Sequence, residues 1–324
     1  MNGVKKHKVS YELVLFLLLA VFVLIVGLIN PAFFSWGTMF DVVRNQTLLI
    51  IMALGLLPVV ILGGFDTSFP AIASLATFIA YRTLSNLGYA GGIGGIYIAT
   101  IAVGVGAGML IALLIWRFKL PIFDLSLGTS SMINGALVLL PIFWKGGGRL
   151  TAFDGWNMKW LITVQAVVGR SGLHVSALVA LVSLVGMHLF LTYTTAGRAM
   201  YALGSAKSVA VRTGFDTRKV YLIAFAILGG MAALAAVTGS GLGTGSGGFD
   251  EKYMHIYAMV IIGGASIRGG RGSAIGTLLG VLLVGIINQA FVYVRVPTVW
   301  GDAIWGLIFI CYAIYQTLEQ RLSR

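Results

Sequence analysis

The sequence predicts an all-α, polytopic transmembrane helix bundle, and three observations support this fold class. Of the 324 residues, 58% are hydrophobic and only 10% are charged, whereas soluble domains carry about 25% charged residues. The mean hydropathy is +0.96. The apolar residues also fall in runs close to the roughly 20 residues that a helix needs to cross the hydrocarbon core. We therefore treat residues 1–324 as a single transmembrane domain.

The apolar runs divide the chain into about ten predicted spans, with eight to ten as the expected range. Between the fifth and sixth spans, residues 144–173 are more polar and rich in Trp and Gly. Because Trp favours the headgroup level of a membrane, this stretch predicts a loop with a short interfacial helix. The predicted spans are 11–29, 47–63, 68–84, 93–115, 121–143, 174–192, 217–238, 254–267, 273–290 and 298–316.

The distribution of basic residues predicts that both termini lie in the cytoplasm. With that orientation, 14 of the 22 lysines and arginines fall on inside segments and 8 on outside segments. Cytoplasmic loops of membrane proteins carry such an excess of positive charge. The same distribution explains the net charge of +12. The basic residues are dispersed between spans and form no long basic face, so we do not expect a nucleic-acid partner.

Two stretches of the sequence repeat one another and predict a pair of helix breaks. Residues 59–74 read VVILGGFDTSFPAIAS, and residues 259–276 read MVIIGGASIRGGRGSAIG. Each is an apolar run that ends in Gly-Gly, followed by a short polar segment and a new run that opens with Ala-Ile. Transporters are often built from internal repeats with broken helices in matching positions. The candidate helix-break and translocation residues are Gly63, Gly64, Asp66, Ser68, Gly263, Gly264, Ser266, Gly269 and Gly270.

Two charged features of these breaks have ordinary structural interpretations. Asp66, or Ser68 with Pro70 following, can cap the next helix, although a direct role of Asp66 in transport stays open. Arg268 and Arg271 need not lie in hydrocarbon, because the predicted topology places them at the cytoplasmic end of a span.

The sequence offers almost no residues for catalysis. The four histidines are scattered, there is one cysteine, and no phosphate-binding motif of the form G-x-x-x-x-G-K-[ST] occurs. We therefore predict no catalytic residue, no metal site and no cofactor bound directly by this chain. No Asp, Glu, Lys or Arg lies in the middle of a predicted span. This argues against an ion-coupled transporter, because such proteins need buried carboxylates as ion sites.

The segment 193–219 is a long cytoplasmic loop that contains a candidate coupling helix. Ser205 is expected to cap a short helix over 206–213, which Gly214 then ends. A short helix of this kind can dock into a groove on a partner protein. Alternatively, its basic residues can hold it on anionic membrane lipid. The candidate coupling residues are Ser205, Ala206, Lys207, Ala210, Val211, Arg212 and Gly214.

Four motifs in order resemble the ribose/autoinducer-2-type permease subunits of bacterial ABC importers. These motifs are GGFDTS at 63–68, PIFDLSLGTSSMINGAL at 121–137, GRAMYALGSAKSVAVRTGF at 197–215, and IIGGASIRGGRGSAIGTLLG at 261–280. The resemblance runs from about residue 30 to residue 316. The G-R-A-M-Y-A-L-G loop resembles the cytoplasmic loop of sugar permeases more than that of their relatives for branched-chain amino acids.

The resemblance implies a multi-pass permease of the bacterial inner membrane that translocates a simple sugar or a sugar-like signal. The implied partners are an ATP-binding cassette subunit, a periplasmic sugar-binding protein, and a second permease subunit in a homodimer or heterodimer. ATP hydrolysis would then occur on the partner, and Ser205–Gly214 would be the coupling helix. Two alternatives remain: an ABC permease for branched-chain amino acids, and a self-sufficient channel or facilitator.

Overall fold

The computed structural model describes residues 11–143, 165–168, 171–212, 214–241 and 253–295, together with isolated positions from 300 to 314. These residues form a helical bundle with one short antiparallel hairpin and a single 3-10 turn at Pro31–Phe34. The helices and strands are α1 (Tyr11–Ile29), α2 (Trp36–Ile61), α3 (Phe69–Asn86), α4 (Ile93–Phe118), α5 (Ile122–Phe143), β1 (Gln165–Val168), β2 (Ser171–His174), α6 (Ser176–Tyr193), α7 (Thr195–Ser205), α8 (Lys207–Arg212), α9 (Thr217–Gly241), α10 (Tyr253–Ile262) and α11 (Ala274–Val294).

The predicted fold class is confirmed, and seven helices in the described part of the chain are long and apolar enough to cross a membrane. These seven helices are α1, α2, α4, α5, α6, α9 and α11, and each coincides with a predicted span. The other three predicted spans differ. Helix α3 has 18 residues but is not among the seven. Helix α10 has 10 residues and covers only about 15 Å, while 298–316 lies mostly outside the described residues.

The polar stretch 144–173 differs from its prediction where the structure describes it. Its end forms the hairpin, in which Gln165 pairs with His174 and Val168 with Ser171. The predicted interfacial helix falls on residues that lie outside the described ranges.

Helix α2 forms the centre of the bundle. Its residues from Ile50 to Ile61 are all buried, and it packs against α9, α11 and α6. The helix begins at Trp36, well before the predicted start at 47, because the Oγ of Ser35 caps it by accepting from the amide of Thr38 at 3.3 Å. The first turns contain Asp41 and Arg44, whose charges resemble those of a loop. In the helix they form an ion pair at 2.8 Å.

Small residues allow the most extensive helix–helix contact among the described helices, between α4 and α9. A Cβ atom at Gly104 would collide with the carbonyl oxygen of Gly229, and one at Gly108 would collide with that of Phe225. Gly104 and Gly108 are four residues apart and lie on one face of α4, which is the small-x-x-x-small spacing that lets membrane helices approach. The sequence of these positions therefore fixes how α4 and α9 pack.

Several element ends meet at one end of the bundle, which we call the break end. The start of α1 contacts the end of α10, because the Tyr11 hydroxyl donates to the Ile262 carbonyl at 2.7 Å. The end of α2 contacts the segment before α11, because the amide of Gly270 donates to the Ile61 carbonyl at 2.8 Å. The predicted topology places these same ends on the cytoplasmic side. The cytoplasmic location of the termini stays a prediction.

Candidate functional site: two helix breaks and the coupling segment

The first helix break, residues 62–68, begins with a glycine turn at the end of α2. Gly63 has a φ of +77°, a backbone conformation that glycine adopts without steric cost. Its amide donates to the Val60 carbonyl, and the amide of Gly64 donates to the Val59 carbonyl, both at 2.9 Å. This pair of hydrogen bonds is a Schellman motif, which satisfies the last carbonyl groups of a helix. The Gly-Gly pair predicted to interrupt the span therefore does so.

Asp66 closes the first break by capping α3. Its Oδ1 accepts from the amides of Ser68 at 2.8 Å and Phe69 at 3.1 Å. The Ser68 hydroxyl also donates to the carboxylate at 2.9 Å. Both side chains are fully buried. Asp66 has the capping geometry that the sequence predicts, whereas Ser68 makes no side-chain cap of its own.

Buried side chains from two other helices hold this break in place. The Tyr257 hydroxyl on α10 donates to the Asp66 carbonyl at 2.9 Å and accepts from the Asp66 amide. The ring of Tyr257 stacks on Phe65, with centroids 4.0 Å apart. On α5, the Ser126 hydroxyl accepts from the amide of Thr67 at 3.1 Å. The polar backbone of the first break is therefore satisfied by side chains inside the protein, as a buried break requires.

The second helix break, residues 263–273, uses the same glycine turn with a shift of one residue. Gly264 has a φ of +94°, and its amide donates to the Ile261 carbonyl at 2.9 Å. The amide of Ala265 donates to the Val260 carbonyl at 3.3 Å. In the sequence repeat Gly263 aligns with Gly63, but in the structure Gly264 takes the role of Gly63. A Cβ atom at Gly263 would instead lie 2.5 Å from the Gly276 carbonyl oxygen on α11.

Half-buried polar groups from distant elements hold the second break. The Tyr201 hydroxyl on α7 donates to the Gly272 carbonyl at 2.7 Å. The hydroxyl of Ser273, which caps α11, donates to the Glu12 carboxylate at 2.5 Å. Burial, and next the charge of Glu12, raise the pKa of the Tyr201 phenol above its ordinary value. The phenol therefore stays protonated and keeps its donor role.

Helix α7 touches the end of α2 and the second break through backbone contacts that only glycine permits. A Cβ atom at Gly204 would collide with the Ile61 carbonyl oxygen, and one at Gly269 would lie 2.8 Å from the Gly63 nitrogen and 2.9 Å from the Gly204 oxygen. The amide of Gly270 donates to the same Ile61 carbonyl. We call Ile61, Gly63, Gly204, Gly269 and Gly270 the glycine junction. It joins the end of α2, the second break and α7 in direct contact.

The coupling segment 193–219 contains two helices where the sequence predicts one. The Thr194 hydroxyl caps α7 by accepting from the amide of Gly197 at 3.0 Å. Ser205 is the last residue of α7, so the prediction that it caps the next helix is wrong. Ala206 takes that position, and its carbonyl accepts from Ala210 at 3.0 Å. The predicted stop is correct, because Gly214 follows α8 with a φ of +91°.

Helix α8 exposes an apolar and basic surface. The side chains of Val209 and Val211 are 57% and 49% exposed, whereas Ala210 is only 2% exposed. Lys207 and Arg212 are exposed as well, and the Lys207 ammonium lies 5.6 Å from the ring centroid of Tyr221. Of the predicted coupling residues, Ala210 therefore anchors the helix and Val211 faces outward.

Several residues of this site were not predicted from the sequence. Gly204 and Tyr201 lie within the G-R-A-M-Y-A-L-G motif, so the motif itself was a signal for them. Tyr257 supplies the hydroxyl group of an otherwise apolar stretch of helix, and Glu12 is a charged residue at the start of a span. Nothing in their sequence surroundings marks them as partners of residues about 190 and 260 positions away.

The described site is built mainly from backbone groups at the ends of helices. Arg268 and Arg271 have exposed side chains, as the sequence predicts, and the glycine junction consists of backbone. Apolar helices that end in glycine turns, in a bundle whose described part has seven helices long enough to cross a membrane, are typical of membrane transport permeases.

Comparison with known proteins identifies the family within this class. The family described as branched-chain amino acid transport system, permease component, matches residues 38–313. The chain belongs to this family. The autoinducer 2 import system permease protein LsrC of Enterobacter sp. (strain 638) is 31% identical over 314 residues, covering 95% of this chain and 87% of the relative.

Two further relatives carry the same name. The protein from Escherichia coli (strain K12 / DH10B) is 29% identical, with 95% of this chain and 89% of the relative covered. The protein from Yersinia enterocolitica is 30% identical, with 92% and 80% covered. No solved structure gives a significant match to the chain. The resemblance based on the four motifs is confirmed, and the chain is a multi-pass transport subunit of the inner membrane.

Proposed function

We propose that this chain is the permease subunit of an ABC importer that moves a sugar-like solute across the inner membrane. One observation carries the proposal: in the glycine junction, α7 is in backbone contact with the end of α2 and with the second break. A self-sufficient channel or facilitator needs no such connection between an external helix and its broken helices.

In this proposal, an ATP-binding cassette subunit docks on α8 and hydrolyses ATP, which this chain does not bind. Its nucleotide cycle shifts α8 and α7 together, and the glycine junction passes the shift to the second helix break. A periplasmic binding protein delivers the solute, and a second permease subunit, identical or not, completes the passage. The second-break residues Gly263, Gly264, Ser266, Gly269 and Gly270 then form the moving part of each passage wall, and the first-break residues Gly63, Gly64, Asp66 and Ser68 form its fixed part.

Two observations support a neutral, sugar-like solute. The relatives are named as importers of autoinducer 2. In addition, the described parts of α4, α6 and α11 carry no Asp, Glu, Lys or Arg between their end turns. A zwitterionic amino acid favours charged partners in a low-dielectric passage, whereas hydroxyl groups need only hydrogen bonds. The family description, which names branched-chain amino acids, keeps that solute class as the second candidate.

The solute class is tested by uptake assays with the complete importer. The proteoliposomes are loaded with ATP but contain no solute at the start, so exchange against internal solute cannot cause uptake. We expect ATP-dependent uptake of labelled autoinducer 2 or of a pentose and no uptake of leucine. Uptake of leucine alone would show that the solute is a branched-chain amino acid. Uptake without ATP would show that the chain works as a facilitator.

The docking role of α8 is tested with Val211→Asp. This substitution puts a charge on the exposed apolar surface without entering the core, whereas Ala210→Asp would disturb a buried position. We expect transport to fall at least about tenfold, because a buried, unpaired charge at an interface costs more than the 1.4 kcal/mol that corresponds to tenfold binding.

The matched control for Val211→Asp is Leu120→Asp. Leu120 is 41% exposed and lies between α4 and α5, next to Ile122, which contacts the first break at Gly64. The control variant should bind the ATPase and transport normally. Equal ATPase binding by the Val211→Asp variant and wild type, measured by co-purification, would contradict the docking role.

A further inference from the structure

A groove open to the outside of the bundle lies between α4, α6 and α9, and none of the helix-break residues lines it. Its volume is about 570 Å³, and it is lined almost entirely by apolar side chains. On α9 the lining is a stripe one to two residues wide that runs from Leu222 to Leu234. This stripe is about 18 Å long at 1.5 Å per residue, close to half of the roughly 30 Å hydrocarbon core. The groove therefore has the depth of one lipid leaflet.

Two of the residues that line the groove are glycines. A Cβ atom at Gly186 on α6 would meet no atom within 4 Å. Gly230 on the facing helix α9 also lines the groove. The groove is therefore unfilled at Gly186, and a flexible acyl chain can occupy that space.

A basic group lies where the α9 stripe begins, at the break end of the bundle. Arg218 is one helical turn before Leu222, and its guanidinium lies 4.9 Å from the ring centroid of Trp116 on α4. Lys219 is paired with Asp216 at 3.9 Å, but the guanidinium of Arg218 makes no salt bridge with any described residue. Arg117 follows Trp116 at the end of α4. Exposed, unpaired cations at the end of an apolar groove match the phosphate and acyl chain of an anionic lipid.

We propose that this groove binds an anionic phospholipid, with one acyl chain between α4, α6 and α9 and the phosphate at Arg218. The position has a mechanistic consequence, because α9 directly follows the coupling segment. A lipid bound here packs against the helix that continues from α8, and its presence stabilises the orientation of α8 that docks the ATPase. Transport by the importer then depends on the lipid composition of the membrane.

The test uses native mass spectrometry of the permease, purified in mild detergent from vesicles of phosphatidylglycerol and phosphatidylethanolamine. We expect wild type to retain phosphatidylglycerol in preference to phosphatidylethanolamine. The Gly186→Leu variant fills the groove and should retain at least fivefold less of either lipid. The Arg218→Gln variant should still retain lipid but lose the preference for phosphatidylglycerol.

Gly106→Leu is the matched control, because Gly106 is also an exposed glycine with no atom near its Cβ position but does not line the groove. It should retain lipid as wild type does. Equal retention in wild type and the Gly186→Leu variant would overturn the proposal. Loss of a second permease copy from the Gly186→Leu complex, with lipid retention unchanged, would instead assign the groove to a subunit interface and overturn it as well. Neither result depends on which solute the importer carries.

Discussion

The two helix breaks share one glycine turn but are held in opposite ways. The first break has a fully buried centre, where Asp66, Tyr257 and Ser126 satisfy its polar backbone. The second break is glycine-rich and half-exposed, and its side-chain partners are half-buried groups on α1 and α7. From this comparison we infer that the two halves of the repeat have different roles. In our proposal the first break is an anchor in the core, and the second is the point where movement of the coupling segment enters.

The largest effect is expected from Gly204→Ala, which separates α7 from the end of α2. The added methyl group would collide with the Ile61 carbonyl oxygen, so α7 must move away from the glycine junction. We expect transport per folded molecule to fall at least about tenfold while the ATPase still binds and hydrolyses ATP. Uptake and ATP hydrolysis are measured together in proteoliposomes.

Gly108→Ala controls for the loss of stability that any such collision causes. Its methyl group would collide with the Phe225 carbonyl oxygen in the α4–α9 contact, far from the junction in sequence and in packing. Both variants should unfold at lower temperature. If Gly108→Ala reduced transport per folded molecule as much as Gly204→Ala did, the junction would have no special role.

The second prediction is that substitutions at the two breaks change the free energy of unfolding by different amounts. Tyr257→Phe removes a hydroxyl that bonds both the amide and the carbonyl of buried Asp66, and unsatisfied buried groups cost about 1–3 kcal/mol each. Tyr201→Phe removes one hydrogen bond to Gly272 at a half-buried position, where water can replace it. We expect a clear decrease in the free energy of unfolding for Tyr257→Phe and less than about 1 kcal/mol for Tyr201→Phe.

Transport should show the reverse order for these two tyrosines. Once corrected for folded protein, Tyr201→Phe should reduce coupled transport several-fold, because it loosens α7 from the second break. Tyr257→Phe should leave corrected transport nearly normal. Unfolding is followed by thermal denaturation in detergent. Equal losses of stability in the two variants would show that the first and second breaks do not differ as proposed.

The smallest effect is expected from Asp66→Asn. An Asn side chain keeps the oxygen that caps α3 but lacks the negative charge, so the free energy of unfolding should change by less than about 1 kcal/mol, compared with about 1–2 kcal/mol for Asp66→Ala. Transport should be close to that of wild type. A stable Asp66→Asn variant that fails to transport would show that the charge itself takes part in transport.

Local sequence signals predicted the elements that depend on local structure. The Gly-Gly pairs at 63–64 and 263–264 predicted the breaks, because a helix that ends in a Schellman motif needs a residue with positive φ. The same logic placed Gly214 correctly. The start of α2 was placed too late, because Asp41 and Arg44 resemble loop residues until their pairing is known.

Contacts between distant segments could not be predicted. Ser205 was expected to begin a helix because serine is a strong N-cap residue, but its backbone is fixed by α7, which ends there. Gly204 is one of 44 glycines, and only the packing of α7 on Ile61 gives it a role. The hydroxyl of Tyr257 gains its function from a partner 191 residues away.

Hydrogen–deuterium exchange of the assembled importer, with and without a non-hydrolysable ATP analogue, tests the central claim most directly. The claim is that nucleotide binding on the partner reaches the second break through α7 while the first break stays fixed. We predict that peptides covering 193–212 and 263–273 change their exchange together and that peptides covering 62–68 do not. A change in 193–212 without one in 263–273, or an equal change in both breaks, would contradict the account.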